Sequence, residues 1–109
     1  MIVLNVYIEP TKGSEDDLKK AISDGWIEAM SQQPGYISAY LFKKFSDDVL
    51  ESMDAKIPES EYELVAFWHT EEQRLNWVAL PIHDEVFAPV LELSENVEWT
   101  VHNVDQEWS

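Results

Sequence analysis

Cysteine is absent from this 109-residue chain. Its absence excludes disulfides, thiolate metal sites and a cysteine nucleophile together. Basic residues are scarce: 7 Lys and Arg stand against 22 Asp and Glu, for a formal net charge of −15. Such a surface repels nucleic acid and anionic lipid, so neither is expected as a partner. The acidity fits a salt-rich habitat or simple solubility, with a basic protein partner as the alternative. No apolar run approaches the ~20 residues of a membrane span. The opening "MIVLNVYIEP" lacks a basic n-region and a small-residue cleavage site. These absences lead to the expectation of a soluble cytoplasmic protein. What is present argues for a packed core: 45% of residues are hydrophobic and 5 are Trp, which excludes a disordered chain. The length suits one domain over residues 1–109, with 102–109 read as a tail that Trp108 can anchor on a partner.

The pattern alternates strands and helices. Residues 2–9, "IVLNVYIE", read as a strand with Ile2, Leu4, Val6 and Ile8 on one face and Val3 and Tyr7 on the other. Ser14 opens a helix with Asp17 at the capping-box position, and Leu18, Ile22, Trp26, Ala29 and Met30 recur at helical spacing. "QQPG" ends it. Residues 36–45 read as a second strand, with Tyr36, Ser38, Tyr40 and Phe42 on one face. Residues 46–60 are acidic and aperiodic, read as a loop with at most a short turn of helix and a possible role as a lid. Residues 61–69 form a third strand. Thr70 then caps a helix with Gln73 at the box position, Pro81 interrupts it, and a second segment runs to about Leu93. Residues 96–104 make a fourth strand with Val97, Trp99 and Val101 inward.

The order β-α-β-β-α-β predicts an α+β, ferredoxin-like domain with an antiparallel sheet. Three strands are apolar on both faces, yet two helices cover only one face of a four-stranded sheet. The uncovered face is expected to bury itself against a second copy, giving a homodimer.

The stretches "KGSEDDL", "PGYISAYLF" and above all "YELVAFWHTEEQRLNWVALPIH" resemble the antibiotic biosynthesis monooxygenase (ABM) family, a family of dimeric α+β barrels. Trp68 at the end of strand three, Glu71 and Glu72 at a helix start, Trp77 nine residues later and His83 after a short break match the family's pattern in order. The resemblance implies that fold across nearly the whole chain, and one of two chemistries. The first is oxidation of a small aromatic or quinol-type substrate by dioxygen without a bound cofactor. It needs a dry pocket, stacking surfaces and polar groups to hold an anion. His83, Trp77 and Asn5 are the catalytic candidates, and Trp68, Tyr7, Phe42 and Phe87 the substrate-binding ones, with Arg74 a further polar candidate. Phe42 and Leu64 stand where aromatic oxidisers of the family carry polar groups.

The runner-up is haem binding and degradation. Trp77 matches the family's helical Trp. Its Asn position falls on Val6, with Asn5 one residue away and so on the opposite sheet face. Its axial His position falls on Phe87, with His83 one helical turn earlier. A third reading is a non-catalytic dimeric domain that binds a small ligand. His69, His83 and His102 show no metal-ligand spacing. His69 and His102 read as solvent-facing, and Arg74 as a partner of Glu71 on the helix surface.

Overall fold

The computed structural model describes residues 1–109. Strand β1 (Ile2–Pro10) alternates buried and half-buried residues along its length, as an apolar strand flanked on both edges must. It pairs antiparallel with β3 (Tyr62–Trp68) on one side and β4 (Ser94–Asn103) on the other. Strand β2 (Tyr36–Lys43) pairs antiparallel with β3, so the sheet order is β2-β3-β1-β4. With helices between β1 and β2 and between β3 and β4, this is the expected ferredoxin-like α+β arrangement.

The helices lie on one face. That face buries Ile2, Leu4, Val6 and Ile8 of β1 and Tyr62, Leu64, Ala66 and Trp68 of β3. Leu18, Ile22, Trp26 and Met30 of the first helix and Val90 of the last close over them. The first helix is not uniformly α. It starts as α1 (Glu15–Lys20), widens into a π-helical segment (Ala21–Ile27) and finishes as α2 (Glu28–Met30). Gly25, the weakest helix former of the segment, lies inside the widened turn with Val86 3.9 Å from where a Cβ would stand. Its other anchor is Glu15, which accepts a hydrogen bond from the Tyr62 hydroxyl and pairs with Lys43 at 3.0 Å. Those two donors hold the Glu15 carboxyl below its ordinary range, the Tyr62 bond being the larger cause.

Four expectations are corrected. Ser14 makes no side-chain cap; its hydroxyl donates instead to the carbonyls of Thr11 (2.6 Å) and Leu93 (2.8 Å), tying the loop after β1 to the end of the last helix. The acidic stretch after β2 contains a true helix, α3 (Asp47–Ser52), capped by the Ser46 side chain, with 53–61 as the loop. Tyr36 does not share a face with Ser38, Tyr40 and Phe42. Register shifts between Tyr36 and Ser38, so Tyr36 pairs with Trp68 and packs edge-on against it at 5.9 Å, while the other three turn to the uncovered face. Trp99 shares the helix-facing side of β4 with Val97 and Val101, but above it stands the Arg74 side chain of the following helical arm, and the ring stays 62% exposed.

Helix α4 (Glu71–Val78) follows β3 directly. Thr70 Oγ1 accepts from the Gln73 backbone N–H at 3.1 Å, the expected N-cap. Helix α5 (Pro81–Glu92) starts with Pro81 in its first turn, after an extended Leu80. No helix is long and apolar enough to cross a membrane.

Gly35 joins the first helical arm to β2 with φ +93°, and its carbonyl accepts from the His69 N–H at 2.8 Å. A Cβ there would fall 2.6 Å from Gln73 Cβ, in a conformation that L side chains resist. Gly35→Ala is therefore expected to destabilise the fold by about 1–3 kcal/mol, read as a lower midpoint in urea with an unchanged slope.

Candidate active site

The break between α4 and α5 creates the site. Arg74 and Trp77 sit three residues apart on α4 and both turn inward to become buried. After Leu80, α5 leaves at a new angle, and His83 and Phe87, four residues apart, present one face back toward Trp77. The His83 ring stands edge-on to Trp77 at 5.2 Å and tilted against Phe87 at 5.7 Å. Phe87 in turn packs on Trp26 of the π-helical segment at 4.8 Å. Between these rings and β1 lies a cavity of about 260 Å³, floored by Leu4 and Val6. Nine of its eleven lining residues are hydrophobic, so it is dry in character, with His83 and Arg74 as the polar exceptions.

His83 is oriented. Its Nδ1 lies 3.1 Å from Asp84 Oδ1. A carboxylate oxygen accepts, which assigns the neutral ring's proton to Nδ1 and leaves the Nε2 lone pair for another partner. Arg74 is held by Glu71: its Nε and Nη2 donate to the two carboxylate oxygens, the second at 3.1 Å. The pair expected on the helix surface is thus made, but Arg74 is only 7% exposed and forms part of the cavity wall.

The candidates from sequence divide between three places. His83, Trp77 and Phe87 meet in this cavity. Trp68 does not reach it; the ring lies fully buried in the core, its indole N–H without a protein partner. Asn5, Tyr7 and Phe42 lie on the opposite face of the sheet. The cause is the two-residue period: Leu4 and Val6 look into the cavity, so Asn5 and Tyr7 look away from it. There Asn5 Nδ2 donates to Glu63 at 2.9 Å and its Oδ1 accepts from His102 Nδ1 at 3.1 Å, a structural bridge across β3, β1 and β4. Tyr7 and Phe42 line a second concavity of about 640 Å³ on that face. It is larger but polar and holds no imidazole, and Lys43 and Lys44 on its wall are bonded to Glu15 and Asp47 at 3.0 Å each. Chemistry is better placed in the smaller cavity. Trp26, Met30 and Trp99 line that cavity without having been singled out for it. Only the pairing of Trp99 with Val6 across β1 and β4 shows that the edge indole stands beside the cavity floor.

The fold defines the class. The chain has the α+β fold of the ABM monooxygenases, and the resemblance read from the sequence holds at that level. A mutant form of SnoaB, a cofactor-independent oxygenase from Streptomyces nogalater, superposes with a TM-score of 0.76 at 16% identity, covering 97% of this chain and 95% of that one. A structure from Deinococcus radiodurans, provisionally named an antibiotic biosynthesis monooxygenase, gives 0.75 at 12% identity over 100% and 97% of the two chains. The haem-degrader MhuD from Mycobacterium tuberculosis gives 0.72 at 17% identity over the full length of both. No family model matches the sequence. No curated protein matches it either.

Because Asn5 is separated from His83 by the sheet, Asn5→Ala is expected to lower stability by about 1 kcal/mol through the loss of its bridge. The same variant should leave the His83 ring resonances in an NMR spectrum where they are. A shift of those resonances would mean that the two faces communicate.

Proposed function

We propose that this chain is an ABM-like monooxygenase that oxidises a small aromatic or quinol-type substrate with dioxygen and no bound cofactor. The observation that carries the reading is the apolar cavity with one oriented imidazole in its wall, His83 beside Trp77 and Phe87. An activated methylene or hydroxyl on an aromatic ring loses a proton to His83 Nε2. The electron-rich anion passes an electron to dioxygen, and the radical pair joins at carbon as a peroxide. Loss of the second hydrogen from that carbon with departure of water leaves a carbonyl: R₂CH₂ + O₂ → R₂C=O + H₂O. The protein's part is to take and return the proton, stack the ring and keep water away from the anion.

Haem suits this cavity poorly. At about 260 Å³ it lies below the roughly 300–1,000 Å³ of pockets for drug-sized ligands. A porphyrin's two propionates need cations, and the wall offers a single guanidinium, Arg74. Oxygen uptake over a panel of quinols and anthrones should exceed blank rates for at least one compound. His83→Ala should reduce that rate about 100-fold or more while the protein stays folded. Blank rates across the panel would count against an oxygenase. A saturable Soret shift at one equivalent of haemin, lost in His83→Ala, would replace this reading with haem.

The open sheet face supports a homodimer. Tyr40 and Phe42 stack at 6.2 Å there, 55% and 50% exposed, next to Val65 and Phe67. An apolar surface of that kind on a sheet is satisfied by a second sheet about 10 Å away. Sedimentation equilibrium should return about twice the 12.7 kDa chain mass, and Phe42→Glu should shift it toward one. Wild-type protein sedimenting as a single chain would sink the pairing.

A further inference from the structure

One wall of the cavity has no counterpart in the chemistry assigned so far. Trp99 stands on the edge strand β4, paired with Val6, and lines the cavity while remaining 62% exposed. Most of that large ring's surface is therefore open to a ligand. The Arg74 guanidinium lies over it, 5.6 Å from the ring centroid. Arg74 is itself buried and clasped by Glu71, so its plane is fixed, while the indole beneath it is largely exposed. A cation over an indole contributes about 0.5–1 kcal/mol at an exposed site, too little to bar a flat ligand from entering. Leu75 and Val78, both exposed, continue the apolar surface outward from the same wall. The cavity therefore has an aromatic platform and a fixed cation at one wall, and an imidazole against Trp77 elsewhere in its lining.

We propose that Arg74 and Trp99 form the specificity element of this cavity: Trp99 stacks on a flat ring, and the Arg74 guanidinium faces that ring's ionised oxygen. The proposal rests on the cavity being the ligand site. It narrows the substrate class to two-ring hydroxyaromatics held as their anions, the form that deprotonation produces. The overall charge of −15 opposes anions at long range. At physiological ionic strength that field is screened beyond about 8 Å, so the adjacent guanidinium decides. Glu71 tempers the selection, since its carboxylate already occupies two of the guanidinium's donors.

Two probes of the same shape separate charge from stacking. Lawsone is anionic at neutral pH, and the unsubstituted 1,4-naphthoquinone is its neutral counterpart. The chain has no cysteine for a quinone to alkylate. Equilibrium dialysis at physiological salt should show lawsone bound about tenfold more tightly than naphthoquinone. Arg74→Met, which keeps the buried stem, should erase that preference. Glu71→Gln frees the guanidinium from a half-exposed position and should enlarge the preference without disturbing the core. Trp99→Ala should weaken both probes about tenfold, since the platform serves both. A preference that survives Arg74→Met and does not move in Glu71→Gln would overturn the assignment while leaving the cavity a ligand site. Binding of neither probe to the wild type, with oxygen uptake on other compounds intact, would also overturn it. Failure of both probes and of oxygen uptake would remove the parent reading.

Discussion

The sheet has two apolar faces and helices for only one, and the rest of the structure answers to that imbalance. On the covered face, the even-numbered residues of β1 and the matching side of β3 are sealed by Leu18, Ile22, Trp26, Met30 and Val90, with hardly any exposed area. The hydrophobic effect needs nothing more there than helical periodicity facing strand periodicity. The other face carries Tyr40, Phe42, Phe67 and Val65 beside the polar bridge of Glu63, Asn5 and His102. That bridge spans three strands, so it braces the sheet where no helix does.

Covering one face with a single unbroken second helix would have filled the space in which the site lies. The chain instead stops α4 at Val78 and restarts at Pro81, because proline removes an N–H and fixes its own φ. The chain is extended at Leu80 between the two helices, and the cavity lies beside this break, lined by Trp77 before it and by His83 and Phe87 after it. Its walls are large rings from three elements: Trp26, Trp77 and Phe87. The same break places His83 early in α5, with Asp84 next to it to hold the imidazole's proton on Nδ1. A dry wall and an oriented imidazole are thus two consequences of one interruption.

The errors of the sequence reading have physical causes. Tyr36 leaves the face that simple alternation predicts because a bulge adds one residue to an alternation of two, and nothing local to "GYISAY" marks it. Ser14 looked like a cap, but a hydroxyl goes to the best acceptor available, here Thr11 and, from seventy-nine residues away, Leu93. Residues 47–52 lack a strong apolar stripe, yet Ser46 caps them into a helix by a purely local bond. The widening of the first helix into a π-helical segment likewise has no signature in its spacing of apolar residues.

Much of the local order was determined by the sequence alone: the four strands and the helices that follow the first and third, where Thr70 and Pro81 start the later helices, and that one sheet face would lack cover. Trp77 and His83 were legible as candidates because they are few, aromatic or titratable, and close in the chain. Tertiary structure alone decided which candidates share a space. Asn5, Tyr7 and Phe42 went to the far side of the sheet because strand side chains alternate, and Trp68 went into the core. Arg74 became a buried wall, and Trp99, on the edge strand β4, stayed 62% exposed beneath the Arg74 guanidinium. Periodicity assigns a side chain to a face, but only the packing of one element over another decides whether that face meets core, cavity or water.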